Sequence, residues 1–239
     1  MLTGIIDSGQ KIVTNGLVLH LDAAQLRSYP GSGTTWTDLS GNGYNGTLTN
    51  GPTFDSGNGG SIVFDGTNDY SISQNTNLNL STNSAFTYFL WFYPNFNSNL
   101  NSGRALLNFT GAGPVFSRSY LRWENTSLGF YLDIANNTGG SAWYTNPKPT
   151  FSSNTWNCLS FTHSSVNNGI FYFNGQAIST SNGGVKATTV VNNPITVGYG
   201  SVNNYYYNGR ISNVLIYTNN LTSTEIQQNY NATKSRYGL

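Results

Sequence analysis

Apolar residues recur at every second position in short runs along this chain, which is the period of half-buried strands. Residues 16–22 (GLVLHLD) place Leu17, Leu19 and Leu21 on one face. Residues 127–134 alternate Leu128, Phe130, Leu132 and Ile134 with Ser127, Gly129, Tyr131 and Asp133, which commits one face to a core and lets the other meet solvent or ligand. Further strands are expected at 86–93, 104–109, 156–163, 195–199 and 210–218, separated by Gly, Asn and Pro clusters. In 86–93 both faces are apolar, with Phe89, Trp91 and Tyr93 on one and Phe86, Tyr88, Leu90 and Phe92 on the other, so that strand is expected in a core.

The turns between these runs carry their own signals. Asn174-Gly175, flanked by apolar residues across 170–178, predicts a two-residue hairpin with a strand at 169–174. In 61–73 (SIVFDGTNDYSIS), Ile62 and Phe64 precede a turn at Asp65-Gly66, and Tyr70 and Ile72 resume the alternation. In 36–48 (WTDLSGNGYNGTL), Asp38, Ser40, Asn42 and Asn45 interleave with glycines that supply positive φ for Asx-type turns. Thr222 to Glu225 reads as a capping box, with Leu221 able to staple onto Ile226, and predicts one short helix over 223–233. The spacing is that of an antiparallel sandwich in a single domain, 16–239, preceded by a weakly patterned arm, 1–15.

Composition narrows the function classes. Only 8% of the residues are charged, and Asn, Ser and Thr exceed a third of the chain, so solubility rests on amides and hydroxyls. A formal net charge of +1 supplies no basic field for nucleic acid or an anionic membrane. No apolar run is long enough to span a bilayer, and the first residues lack the basic start and apolar length of a secretory signal, so synthesis in a cytoplasm is expected. The single Cys158 reads as a buried small hydrophobe.

The segments GLVLHLDA, SGTTWTDLSGNGYNGTL, SIVFDGTNDYSI and GRISNVLIYTNNLTSTEI occur in the order seen in concanavalin A-like, laminin G-like jelly rolls, and the chain resembles that family over residues 16–230. The resemblance implies an all-β, two-sheet antiparallel jelly-roll sandwich with one short C-terminal helix. Its SYPGSGTTWTDLSGNG opening and NYNATKSRYGL ending resemble versions carried in structural proteins of tailed bacteriophages. That implies a binding or particle-surface module, often directed at carbohydrate and sometimes holding calcium.

The residues themselves limit the chemistry. Glycan-cleaving relatives place two Glu and an Asp along one strand, whereas this chain has only Glu124 and Glu225, and Glu225 belongs to the helix cap. His20 and His163 fall in strands without a nucleophile motif, so no enzyme is expected. Asp65 and Asp69, with Asp38 and Asn42, offer hard oxygens for a weak calcium site, although Asp before Gly is also a turn former. Many relatives carry acids in the final strand where this chain has Ser212-Asn213, which removes that strand from any calcium site.

For glycan binding, three loop clusters combine rings with polar neighbours: Trp143-Tyr144, Tyr205-Tyr206-Tyr207, and Tyr120 with Trp123 bracketed by Arg118 and Arg122. The same rings suit a sandwich edge or a neighbouring subunit equally. Two functions follow. One is a phage virion surface component, a capsid decoration, tail or fibre protein. It would contact other virion proteins and its own copies, with 1–15 as the docking arm. The other is a stand-alone lectin module that holds a host polysaccharide.

Overall fold

The structure is a computed structural model that describes residues 10–74, 78, 80–81, 84–110, 117–136, 139–164, 168–183, 189–190, 194–201 and 203–239. Two large antiparallel sheets form a sandwich. The eight-stranded sheet runs Gln176–Ile178, Gly169–Phe173, Asn157–His163, Phe86–Pro94, Asn208–Tyr217, Ser61–Asp65, Thr53–Asp55, and Leu17–Asp22 also pairs with Asn208–Tyr217. The nine-stranded sheet runs Thr180–Asn182, Gly139–Thr145, Gly129–Asn136, Ser117–Asn125, Arg104–Thr110, Ile195–Val197, Tyr70–Ser73, Gly46–Thr49, Thr35–Trp36. The fold is the expected all-β jelly roll with one short α-helix, Ser223–Thr233.

The main core lies between the sheets and is rich in aromatics. Phe151 packs against Trp123 at 5.1 Å and Phe130 at 5.8 Å, and Phe92 meets Phe130 edge-on at 5.7 Å. A second core covers the outer face of the eight-stranded sheet, where Phe89, Trp91, Leu215 and Tyr217 meet Ile226 of the helix. The two-sided apolar pattern of Phe86–Pro94 has this cause: one face enters the main core and the other lies beneath the helix. Trp91 stacks on Tyr237 at 4.1 Å and donates its indole N–H to Thr233 Oγ1 at 2.8 Å.

The helix begins where its capping box places it. Glu225 N–H donates to Thr222 Oγ1 and Thr222 N–H to Glu225 Oε2, which satisfies two donors with no intrahelical partner. Asn174 and Gly175 both have positive φ, 49° and 78°, as a two-residue hairpin requires. The turn after Asp65 differs from a hairpin: Ser61–Asp65 belongs to one sheet and Tyr70–Ser73 to the other, so it carries the chain across the sandwich. Of the expected arm, residues 1–9 lie outside the described residues. Residues 10–15 lie on the chain's own helix, with Val13 N–H donating to Asn229 Oδ1 and Tyr217 Oη–H donating to the Val13 carbonyl.

Both imidazoles are enclosed. His163 is fully buried, stacks on Phe86 at 4.9 Å, and donates Nδ1–H to the Ser84 carbonyl. Burial pushes the pKa of each below the ordinary value, the Ser84 contact opposing it for His163 and Asp22 and Asp38 opposing it for His20. The unfolded chain therefore binds more protons between the folded and unfolded pKa values, and stability is lost as the pH is lowered through that window. Unfolding followed from about pH 7.5 to pH 5 is expected to lose up to about 1.4 kcal/mol per pH unit for each imidazole below about pH 6.5. A flat stability profile across that window would exclude this assignment.

Candidate glycan-binding face

The outer face of the nine-stranded sheet is built by register. Thr196, Asn108, Tyr120, Asp133 and Ala142 are consecutive cross-strand partners and form one row. A neighbouring row holds Arg122, Tyr131 and Tyr144, and the row on the other side holds Arg118, Ala135 and Gly140. Same-face neighbours in adjacent rows are close enough for long side chains to touch, so Asp133 lies within reach of both arginines.

The contacts follow that placement. Arg118 Nε donates to Asp133 Oδ2 at 2.6 Å, and Arg122 Nη1 donates to Asp133 Oδ1 at 3.0 Å. Arg122 Nε donates to Glu124. The Arg122 guanidinium also lies over the rings of Tyr120 and Tyr131, at 4.6 and 4.4 Å. Burial works against its charge, but Asp133 and Glu124 outweigh it and hold its pKa above the ordinary arginine value. Of ten basic and nine acidic residues in the chain, two of each meet here in one connected network.

Beside this network lies a groove of about 260 Å³ lined by Arg118, Tyr131, Asp133, Ala135, Gly140 and Gly183 among others. Its floor is low because the residues are small. A Cβ on Gly140 would sit 2.6 Å from the Ile134 carbonyl oxygen, so no larger residue fits without moving the backbone. Tyr131 lines the groove, and Tyr144 stands nearly parallel to that ring at 6.2 Å, both half-buried. Burial, then the Asp133 charge, raises the Tyr131 pKa, which keeps its hydroxyl a neutral donor. The arrangement offers ring faces, a guanidinium and a carboxylate to a polar, hydroxyl-bearing ligand.

The structure divides the residues singled out in the sequence. Tyr144, Tyr120 and Arg122 converge on this face. Tyr205 and Tyr206 lie near it on a small hairpin with Tyr199–Gly200, where Tyr206 stacks on Tyr199 at 4.7 Å and Tyr199 meets Tyr70 at 5.4 Å. Tyr120 is 1% exposed, so it supports Arg122 and presents no ring face to solvent. Trp143, Trp123 and Tyr207 are corrections: all three are buried in the main core. Two of the apparent loops are strands, Ser117–Asn125 and Gly139–Thr145, and alternation sends every second ring inward. Tyr131 and Asp133, absent from those clusters, belong to the polar face of the alternation in 127–134.

The calcium expectation meets a different donor set. Asp38 accepts from the backbone N–H groups of His20, Ser40 and Tyr44 and from the Ser40 hydroxyl, which engages both carboxylate oxygens. Asn42 donates its amide to the Val18 carbonyl and Ser40 Oγ. Asp65 Oδ1 accepts from Thr67 and Asn68, and Asp69 Oδ2 accepts from Asp65 N–H, so both close their own turn. Among the described residues no three His, Cys, Asp or Glu side chains form a group that could hold a metal ion. Calcium takes six to eight oxygens, and these carboxylates face N–H donors, so the residues present do not fit it.

Comparison with solved structures shows the same fold elsewhere. The binding domain of Paraclostridial Mosquitocidal Protein 1 aligns with TM-score 0.66 at 20% identity, covering 91% of this chain and 52% of that one. Domain 4 of AbnA, a GH43 extracellular arabinanase from Geobacillus stearothermophilus solved with arabinotriose, aligns with TM-score 0.66 at 14% identity, covering 90% and 98%. The botulinum neurotoxin serotype G binding domain aligns with TM-score 0.64 at 14% identity, covering 90% and 50%. The chain thus spans about half of each toxin structure and nearly all of the arabinanase domain. No curated protein matches the chain in sequence. The family model of the concanavalin A-like lectin/glucanases superfamily matches residues 64–227, and the chain belongs to that superfamily.

Proposed function

We propose that this chain is a non-enzymatic surface module of a tailed-phage particle, and that the outer face of its nine-stranded sheet holds a host polysaccharide. The observation that carries the glycan part is the groove lined by Tyr131, Arg118 and Asp133, where an ion pair meets a ring stacked on Tyr144 over a floor of glycine and alanine. The arabinanase domain of the same fold, solved with arabinotriose, supports an oligosaccharide as the ligand class. The virion setting rests on the phage-like segments that include Trp36 to Gly43 and Asn229 to Leu239. The absence of catalysis is supported by Glu124 and Asp133, which both bind the Arg122 guanidinium instead of facing each other across an open cleft.

The test is a glycan array with the protein displayed multivalently, since single sites of this kind bind at about millimolar Kd, about −4 kcal/mol. Binding is expected, with Arg118→Ala weakening it by roughly 10- to 100-fold, the worth of a charge-assisted hydrogen bond. Tyr144→Ala should also weaken it while the fold is retained. No binding from folded protein in any format rejects the glycan reading. Absence of the protein from purified phage particles rejects the virion reading.

A further inference from the structure

A cavity of about 630 Å³ lies on the opposite side of the molecule, between the outer face of the eight-stranded sheet, residues 10–14 and the end of the helix. This is a volume typical of small-molecule sites. Asn213, on its floor, is 1% exposed, and neither Oδ1 nor Nδ2 finds a hydrogen-bond partner among the described residues. A carboxamide in that state is a donor and an acceptor side by side, without the partners that buried amides almost always have.

The groups around it set the chemistry. Asp22 is neutralised: Arg236 donates to both its oxygens at 2.8 and 3.2 Å, and Ala24 N–H and Gln25 Nε2 add further bonds. His20, beside it, is buried and has its Nε2 3.9 Å from Asp22 Oδ2. The floor is therefore polar and close to neutral. Lys11 and Arg27 line the same cavity, are exposed, and enter no ion pair among the described residues. A ligand that satisfies both halves carries an anionic group for the cations and hydroxyl or amide groups for Asn213 and His20.

We infer that this cavity is a second binding site, separate from the glycan-binding face, for an acidic sugar whose anionic group meets Lys11 and Arg27 while its hydroxyls pair with the Asn213 amide. A uronate and a sugar phosphate share that chemistry, and the cavity has room for either.

The test uses the full chain with glucuronate, glucose 6-phosphate and neutral glucose as probes, following affinity by calorimetry and the Asn213 side-chain amide resonances by NMR. At least one anionic sugar is expected to shift those resonances and to bind roughly tenfold more tightly than glucose. Preference for glucuronate or for the phosphate identifies which anion the site takes. The Lys11→Gln/Arg27→Gln variant should lose that preference with no change in Tm. Asn213→Leu should lose binding while keeping or raising Tm, because it replaces an unpaired buried amide with an apolar side chain of similar size. Tyr144→Ala and Arg118→Ala should leave this site unchanged, so its failure is separable from failure of the glycan-binding face. The chain lacking residues 1–9 should bind as well as the full chain. No resonance shift with either anionic sugar, binding undiminished in Asn213→Leu, or binding lost on removing 1–9 would overturn the assignment.

Discussion

Trp143→Ala is expected to cost about 3–5 kcal/mol of stability, the usual range for removing a large buried aromatic. At a few degrees per kcal/mol for a domain of this size, Tm should fall by roughly 6–20 °C. The ring is 1% exposed and lies at 4.9 Å from the His163 ring and 5.6 Å from Phe161. Neighbouring backbone also closes on it, since a Cβ on Gly169 would stand 2.7 Å from the indole. Truncation therefore leaves a cavity that two stiff sheets cannot fill by collapsing. Urea unfolding of the variant beside the parent measures the loss. Trp143 is also the residue whose sequence context invites a glycan-binding experiment, and a null result from its alanine variant would report unfolding. Trp143→Phe should cost less, because the indole N–H it removes has no partner among the described residues. An unchanged Tm in Trp143→Ala, with glycan binding lost, would return the ring to the ligand face.

Arg122→Met should be nearly as damaging, at about 3–5 kcal/mol, because it removes one partner of a buried ionic network and leaves the others charged. Arg122 is 7% exposed and Asp133 5% exposed, so water does little to screen what remains. Glu124 loses its guanidinium partner, and Asp133 keeps only Arg118. Methionine preserves much of the stem volume, which separates loss of charge from loss of packing over Tyr120 and Tyr131. Adding Asp133→Asn should restore part of the loss, giving a coupling energy of about 0.5–3 kcal/mol in a double-mutant cycle. Additive effects of the two substitutions would mean that the pair is not coupled. Arg122 positions the face, so glycan binding should fall in Arg122→Met through displacement of Asp133 even at temperatures where the fold persists.

Parts of the molecule are legible in one dimension because their causes are local. The capping box fixes the start of Ser223–Thr233 through bonds between residues three apart. Asn174-Gly175 sets its hairpin because both residues accept positive φ. The alternation in 127–134 separates an inward set from an outward set, and that outward set contains Tyr131 and Asp133 of the groove. The two-sided apolar pattern of 86–93 correctly implies a strand covered on both faces.

The remainder depends on which strands meet. Asp65-Gly66 has the composition of a hairpin turn, yet its flanking strands pair with Asn208–Tyr217 and Ile195–Val197 in different sheets. Trp143 and Tyr144 are adjacent in sequence and alike in chemistry, but a strand turns successive side chains to opposite faces, so one fills the core and the other stacks beside Tyr131 on the outer face. Arg118, Arg122 and Asp133 become one network only because the strands align Tyr120 with Asp133. Asn213 acquires its significance when residues 10–14 and the helix close a cavity over it, more than two hundred positions from where the cavity's first residues lie in the chain. Sequence by itself determined periods, caps and turns, which depend on neighbouring residues. Only the tertiary structure decided which faces are covered and which charges meet, because register and burial are set by contacts between distant strands.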